Sequence, residues 1–175
     1  ASQAEADAQC EHTMSLIKER LGESVYAEGH EELHEVVARQ LASVNRRIAL
    51  IEGATTGGLL SLWLTEKESF SPIVVQSQIK FGRWPEASTQ PVEWSEAVKA
   101  FAAETRATLQ ADYLILSSPF EDEVSESGVT LRRGWVAVAS ETHFETVDVS
   151  MSGNLAIFRQ RAARTALNRV RLHLA

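Results

Sequence analysis

Two apolar runs constrain this chain more than any other feature. RIALIE, residues 47–52, and ADYLIL, residues 111–116, are apolar almost throughout. Short runs of that kind are strands buried on both faces, and the sheet that holds them needs helices on two sides. The first run stops abruptly at Gly53. Two threonines and a Gly-Gly pair follow, then the apolar helical stretch LLSLWL. A strand, a tight turn and a helix start form the place where open α/β sheets put a phosphate or a reactive group.

The rest of the chain supplies the layers. Helices are expected over residues 4–21, with Met14, Ile17 and Leu21 apolar, and over 30–44, where Leu33, Val36, Val37 and Leu41 share a face. Further helices are expected over 56–66, over 91–110 with Pro91 at its start, and over 154–174. PIVVQSQIKF, residues 72–81, reads as a strand. GRWPEASTQP reads as a loop, and PFEDEVSESG, residues 119–128, as an acidic loop. GWVAVASE and THFETVDVSM read as an antiparallel hairpin. The order β-α-β-α-β-β-β-α behind two helices predicts a three-layer α/β/α sandwich with a mixed sheet of about five strands.

The formal net charge of −7 argues against a general nucleic-acid binder. The basic segment RQRAARTALNRVRLHLA reads as the polar face of an amphipathic helix, with Arg near the negative end of its dipole. Cys10 is the single cysteine, so no disulfide forms within the chain; this suits a reducing compartment, and the cytoplasm is the expected location. No apolar run approaches the roughly 18 residues of a membrane span. Residues 1–12 are polar and acidic, unlike the apolar core of a secretory signal. The chain starts without Met and is expected to be a piece of a longer protein.

The turn EGATTGG, residues 52–58, resembles the A-E-S-C-T-G-G turn of the CinA C-terminal domain family, the nicotinamide mononucleotide deamidases. The segments RLGESVYAEGHEELHEVVARQL, ADYLIL, GWVAVA and SGNLAIFRQRAARTAL resemble the family's other blocks in the same order, over about residues 16–175. The resemblance implies residues 1–28 as a helical tail or linker and residues 29–175 as a CinA C-terminal-like domain. It implies carboxamide hydrolysis by the family's serine, activated by a lysine and a tyrosine in a Y-S-N-x-x-K stretch. Backbone N–H groups at the turn would stabilise an oxyanion or hold a phosphate.

This chain departs from that pattern at each of those points. Ala54 stands at the serine position and Gly53 at the preceding glutamate. QSQIKF, residues 76–81, aligns with the activating stretch, putting Gln76 at the tyrosine, Gln78 at the asparagine and Phe81 at the lysine, with Lys80 one residue away. The family's Gly-rich loop is replaced by SSPFEDE, residues 117–123, and its closing G-D-R by Gly153, Asn154 and Leu155. The resemblance thus implies a domain that has lost catalysis, with no catalytic residue and no cofactor, and that keeps a nucleotide-binding or interaction role. Thr55, Thr56, Gly57, Gly58, Ser77, Ser117 and Ser118 are the candidate ligand-binding residues, for a nicotinamide nucleotide or another small anion. Two alternatives stay open: an active amidohydrolase with Thr55 or Thr56 as nucleophile and Lys80 or His143 as its base, and a structural or oligomerising module. A homodimer is one assembly open to it, and no membrane partner is expected.

Plainer roles exist for the same residues. Thr55 and Thr56 suit a helix cap, the two glycines suit tight helix packing, and Ser117 and Ser118 suit a turn before Pro119. HEELH, residues 30–34, fits H-E-x-x-H, with Glu52 the nearest third ligand, but it opens a helix instead of lying inside one. Glutamates there suit the helix dipole, and no metal site is expected. Trp63 is expected in the core. Trp84 is a candidate contact for a ligand or partner. The acidic stretch 121–126 reads as a solvated loop.

Overall fold

The computed structural model describes residues 2–80, 91–124 and 126–174. Eleven main elements follow one another: α1 (Gln3–Leu21), α2 (Leu33–Ser43), β1 (Ile48–Glu52), α3 (Leu59–Thr65), β2 (Val74–Ile79), α4 (Pro91–Thr108), β3 (Tyr113–Ser117), β4 (Glu121–Val124), β5 (Thr130–Ala139), β6 (Phe144–Ser152) and α5 (Leu155–Leu174). The expected loop carrying Trp84, and Phe81 with it, lie outside the described residues.

The two apolar runs are central. β1 pairs in parallel with β2 on one side and with β3 on the other. β3 pairs antiparallel with β5, and β5 with β6. Alternation then divides the strand side chains between two cores. Ile48, Leu50, Ile115, Val136 and Val138 face α2, α3 and α5, with Phe158 and Leu167. Ala49, Ile51, Leu114, Leu116 and Ala137 face α4, with Val98 and Ala102. This is the three-layer sandwich expected, with six strands.

The sixth strand corrects the reading of the acidic stretch as a loop. β4 lies within it and pairs antiparallel with the first half of β5. Its side chains are all exposed, so burial left no pattern to read. Arg132 and Arg133 supply the reason it pairs: Arg132 meets Asp122 at 3.2 Å and Arg133 meets Glu123 at 3.0 Å. β3 and β4 therefore share one edge of β5, separated by residues 118–120.

α3 starts three residues later than expected, because Gly57 and Gly58 have φ of +63° and +90°. α1 packs into neither core and buries none of its side chains. Among the described residues no helix is long and apolar enough to cross a membrane.

β1 and β3 are clamped together at their starts. The Asp112 carboxylate accepts from the Arg46 guanidinium at 2.5 Å and from the Arg47 N–H at 2.8 Å. Partial burial raises the Asp112 pKa, but Arg46 and the Arg47 N–H outweigh it and hold the carboxyl below its ordinary value. A depressed carboxyl pKa adds stability above the ordinary aspartate value of about 3.9, and the gain is lost as pH falls through the folded-state value. Asp112→Asn is expected to cost about 1–3 kcal/mol at neutral pH in urea unfolding. The difference from the parent should narrow as the solution is made strongly acidic.

Candidate functional site

The crevice beyond the C-terminal ends of β1 and β3 is where the chain order diverges. β1 leads through α3 to β2, while β3 arrives from α4 on the other face. Open α/β sheets bind ligands at such a point. Here the chain fills it with its own groups. The β1–β3 pairing continues past both strands. The Gly53 N–H donates to the Ser117 carbonyl at 2.8 Å and the Ser117 Oγ at 2.9 Å, and the Thr55 N–H donates to the Ser118 carbonyl at 3.0 Å.

The hydroxyls complete the closure. Thr56 Oγ1 lies 2.6 Å from Ser117 Oγ. Thr55 Oγ1 lies 3.1 Å from Ser118 Oγ and donates to the Pro119 carbonyl at 3.1 Å. Ser118 Oγ also accepts from the Trp135 N–H at 2.8 Å. Thr55 and Thr56 are both 0% exposed, and Ser117 and Ser118 are buried beside them. Thr55, Thr56, Ser117 and Ser118 thus meet in one place, as partners of one another, while Ser77 lies apart on β2.

Two glycines make this approach possible. A Cβ at Gly53 would stand 2.4 Å from the Ser118 carbonyl carbon and oxygen. A Cβ at Gly134, on β5, would stand 2.2 Å from Thr55 Oγ1. Gly134 faces the break between β3 and β4, and the space it leaves receives the threonine.

The start of α3 is also occupied. Glu52, the last residue of β1, is 0% exposed. Its carboxylate accepts from the Leu60 N–H at 3.1 Å, the Ser61 N–H at 2.8 Å and the Ser61 hydroxyl. These are donors that an anion at the helix start would need. Ser61 Oγ in turn contacts Ser77 Oγ, on the exposed strand β2. Glu52 was singled out in the sequence only as a remote metal ligand. It caps α3 instead.

Arg159 was missed. It lies in the first turns of α5, inside a basic run read as a solvated helix face. Its Nε donates to the Ala54 carbonyl at 3.1 Å, and its guanidinium lies where a Cβ on Gly57 would go. The R-x-x-A part of the closing block, Arg159 to Ala162, holds it and was the available signal. Arg171 departs from that reading too: it is buried, with Nε donating to Asn168 at 3.0 Å.

Other candidates lie elsewhere. The Lys80 N–H donates to the Glu52 carbonyl at 2.8 Å, and its Nζ stands 5.6 Å from the centre of the Phe101 ring on α4. His143 follows β5, whose Ala139 pairs with Leu114 near the start of β3. It is therefore at the opposite end of the sheet from the turn and cannot serve Thr55 as a base. In HEELH, α2 begins only at Leu33, so His30 and His34 do not share a helix face. Glu31 pairs with Arg39 at 2.9 Å, Glu32 and Glu35 form a capping box, and His34 stacks on Trp63. Trp63 packs against the core, as expected, and with His34, Leu62, Glu66 and Arg164 lines a surface cleft of about 430 Å³ between α2, α3 and α5.

No family model matches the chain. Over 80 residues, 46% of its length, it is 38% identical to a curated competence-damage inducible protein of Alkaliphilus metalliredigens (strain QYMF), and the match spans 19% of that protein. A CinA superfamily protein of Enterobacter cloacae superposes with a TM-score of 0.64 at 22% identity, over 86% of this chain and 97% of the other. A competence or damage-inducible protein of Enterobacter asburiae gives 0.64 at 20% identity, over 83% and 100%. These structures share the fold described above.

The clash at Gly134 is testable. Gly134→Ala is expected to lower stability by about 1–3 kcal/mol through overpacking. The loss should shrink in a Thr55→Ala background, where the colliding atoms are gone. Strictly additive denaturation energies in the double mutant would assign the cost to another cause.

Proposed function

We propose that this chain is a non-hydrolytic member of the CinA superfamily, whose fold it shares, and that it acts through protein interaction. The observation that carries the reading is the hydrogen-bonded closure of the crevice between residues 53–55 and 117–119. Ala54 has no atom to attack with. The Thr55 and Thr56 hydroxyls are sealed and committed to Ser118 and Ser117. A nucleophile must reach its substrate and hand a proton to a nearby base.

Purified protein is expected to release no ammonia from nicotinamide mononucleotide above background. Ala54→Ser alone should not change that, because nucleophile and activating groups act as a unit. Turnover that vanishes in Thr55→Ala or Thr56→Ala would reverse the reading.

A second reading, retention of a small-anion or nucleotide site, draws on Arg159, whose cation sits beside the turn. In that case phosphate or nicotinamide mononucleotide should shift the amide resonances of residues 54–59, and Gly57→Val should abolish the shift. The closure predicts no such shift, because Glu52 already holds the Leu60 and Ser61 N–H groups.

The interaction role draws on α1. It is a 19-residue helix with no buried side chain, and Leu16, Ile17 and Leu21 lie exposed on it. An isolated helix of this length is marginal in water. Its first half carries Glu5, Asp7 and Glu11 and its last turn Lys18, Glu19 and Arg20, so two copies laid antiparallel would set a net acidic end against a net basic one. The proposed partner is therefore a second copy of the chain. Sedimentation should show a dimer that Ile17→Glu and Leu21→Glu dissociate. A monomer at every concentration would remove this support.

A further inference from the structure

The end of the sheet away from the turn holds a different grouping. His143 ends the β5–β6 connection, Glu145 follows two residues later on β6, and His173 lies in the last turn of α5. The two imidazoles face each other with ring centres 3.6 Å apart. Glu145 Oε1 is 3.8 Å from Nε2 of His143 and 3.8 Å from Nε2 of His173. One donor atom from each residue lies within 4.8 Å of the other two.

The geometry points to a binding site for a divalent transition metal of the zinc type, held by His143, Glu145 and His173.

Three features support this. First, two imidazoles and a carboxylate are a zinc ligand set, and three protein ligands leave a fourth position for water. Second, tetrahedral bonds of about 2.0–2.1 Å put neighbouring ligand atoms about 3.4 Å apart; the two Glu145–histidine separations of 3.8 Å need only a small contraction, and the two rings must splay apart for both to reach one ion. Third, His143 Nε2 is buried and makes no hydrogen bond. A buried ring nitrogen without a partner is uncommon and calls for one.

One group competes. Arg169 Nε stands 3.9 Å from Glu145 Oε1. That contact is long, beyond hydrogen-bond range, so a metal can displace it. The ligands come from the hairpin and from the last helix, so the metal would join two parts of the fold. This revises the sequence-based expectation of no metal, and it places the site far from HEELH.

The test is zinc and cobalt titration of the whole chain against a competing chelator, with melting temperature read in parallel. One equivalent should bind and raise the melting temperature. His173→Ala and Glu145→Gln should each weaken binding by at least ~10-fold, and the exposed position of His173 keeps that variant folded. Arg169→Gln should tighten binding by removing the competing cation. His30→Ala and His34→Ala should leave the zinc affinity unchanged. Zinc binding unaffected by His173→Ala and Glu145→Gln, binding lost in His30→Ala, or no binding at micromolar zinc would each overturn the assignment.

Discussion

A carboxylate with no access to water, that of Glu52, holds the working end of this fold together. Burying a charged group costs several kcal/mol unless each of its lone pairs is met. Glu52 is met by two backbone N–H groups and a hydroxyl, all from the first turn of α3. That helix has only seven residues and could not hold its place by propensity. The same residue's carbonyl receives the Lys80 N–H, so the β1–β2 ladder also ends on it. One side chain and its own backbone thus fix where β1 stops, where α3 starts and how far β2 extends.

The closure beyond β1 and β3 follows from the register that this anchor imposes. Glu52 lies opposite Ser117, and in the continuation the Gly53 and Thr55 N–H groups reach the Ser117 and Ser118 carbonyls. β5 then supports both from the far side. Its second half pairs with β3 and its first half with β4, and Gly134 and Trp135 sit at the break. The break is a bulge in an otherwise continuous antiparallel run. The bulge carries the Ser118 hydroxyl and the Pro119 carbonyl to the threonines.

β1 and β3 were legible in the sequence because burial on both faces leaves an unbroken apolar run. The hairpin was legible for its alternation. β4 was not, because EDEV is exposed throughout and the arginines that pair with it, Arg132 and Arg133, lie outside the stretches read as strand. At the turn, the sequence picked out Thr55, Thr56, Ser117 and Ser118 one by one. Their mutual pairing depends on the Glu52–Ser117 register, which no local pattern encodes. Arg159 reaches Ala54 across 105 positions from inside a basic helical run. His143, Glu145 and His173 have no sequence spacing that a metal motif would match; only the meeting of the hairpin with the last turn of α5 assembles them.

Gly53 has a consequence for how this fold can change over time. The atoms that any side chain there would strike belong to the backbone at Ser117 and Ser118. No rotamer shift can relieve them. Mutations that introduce a larger residue at 53 are thus inaccessible in one step while that loop keeps its course. The two segments must move through sequence space together, and a lineage carrying this pairing is held near it by sterics as well as by selection.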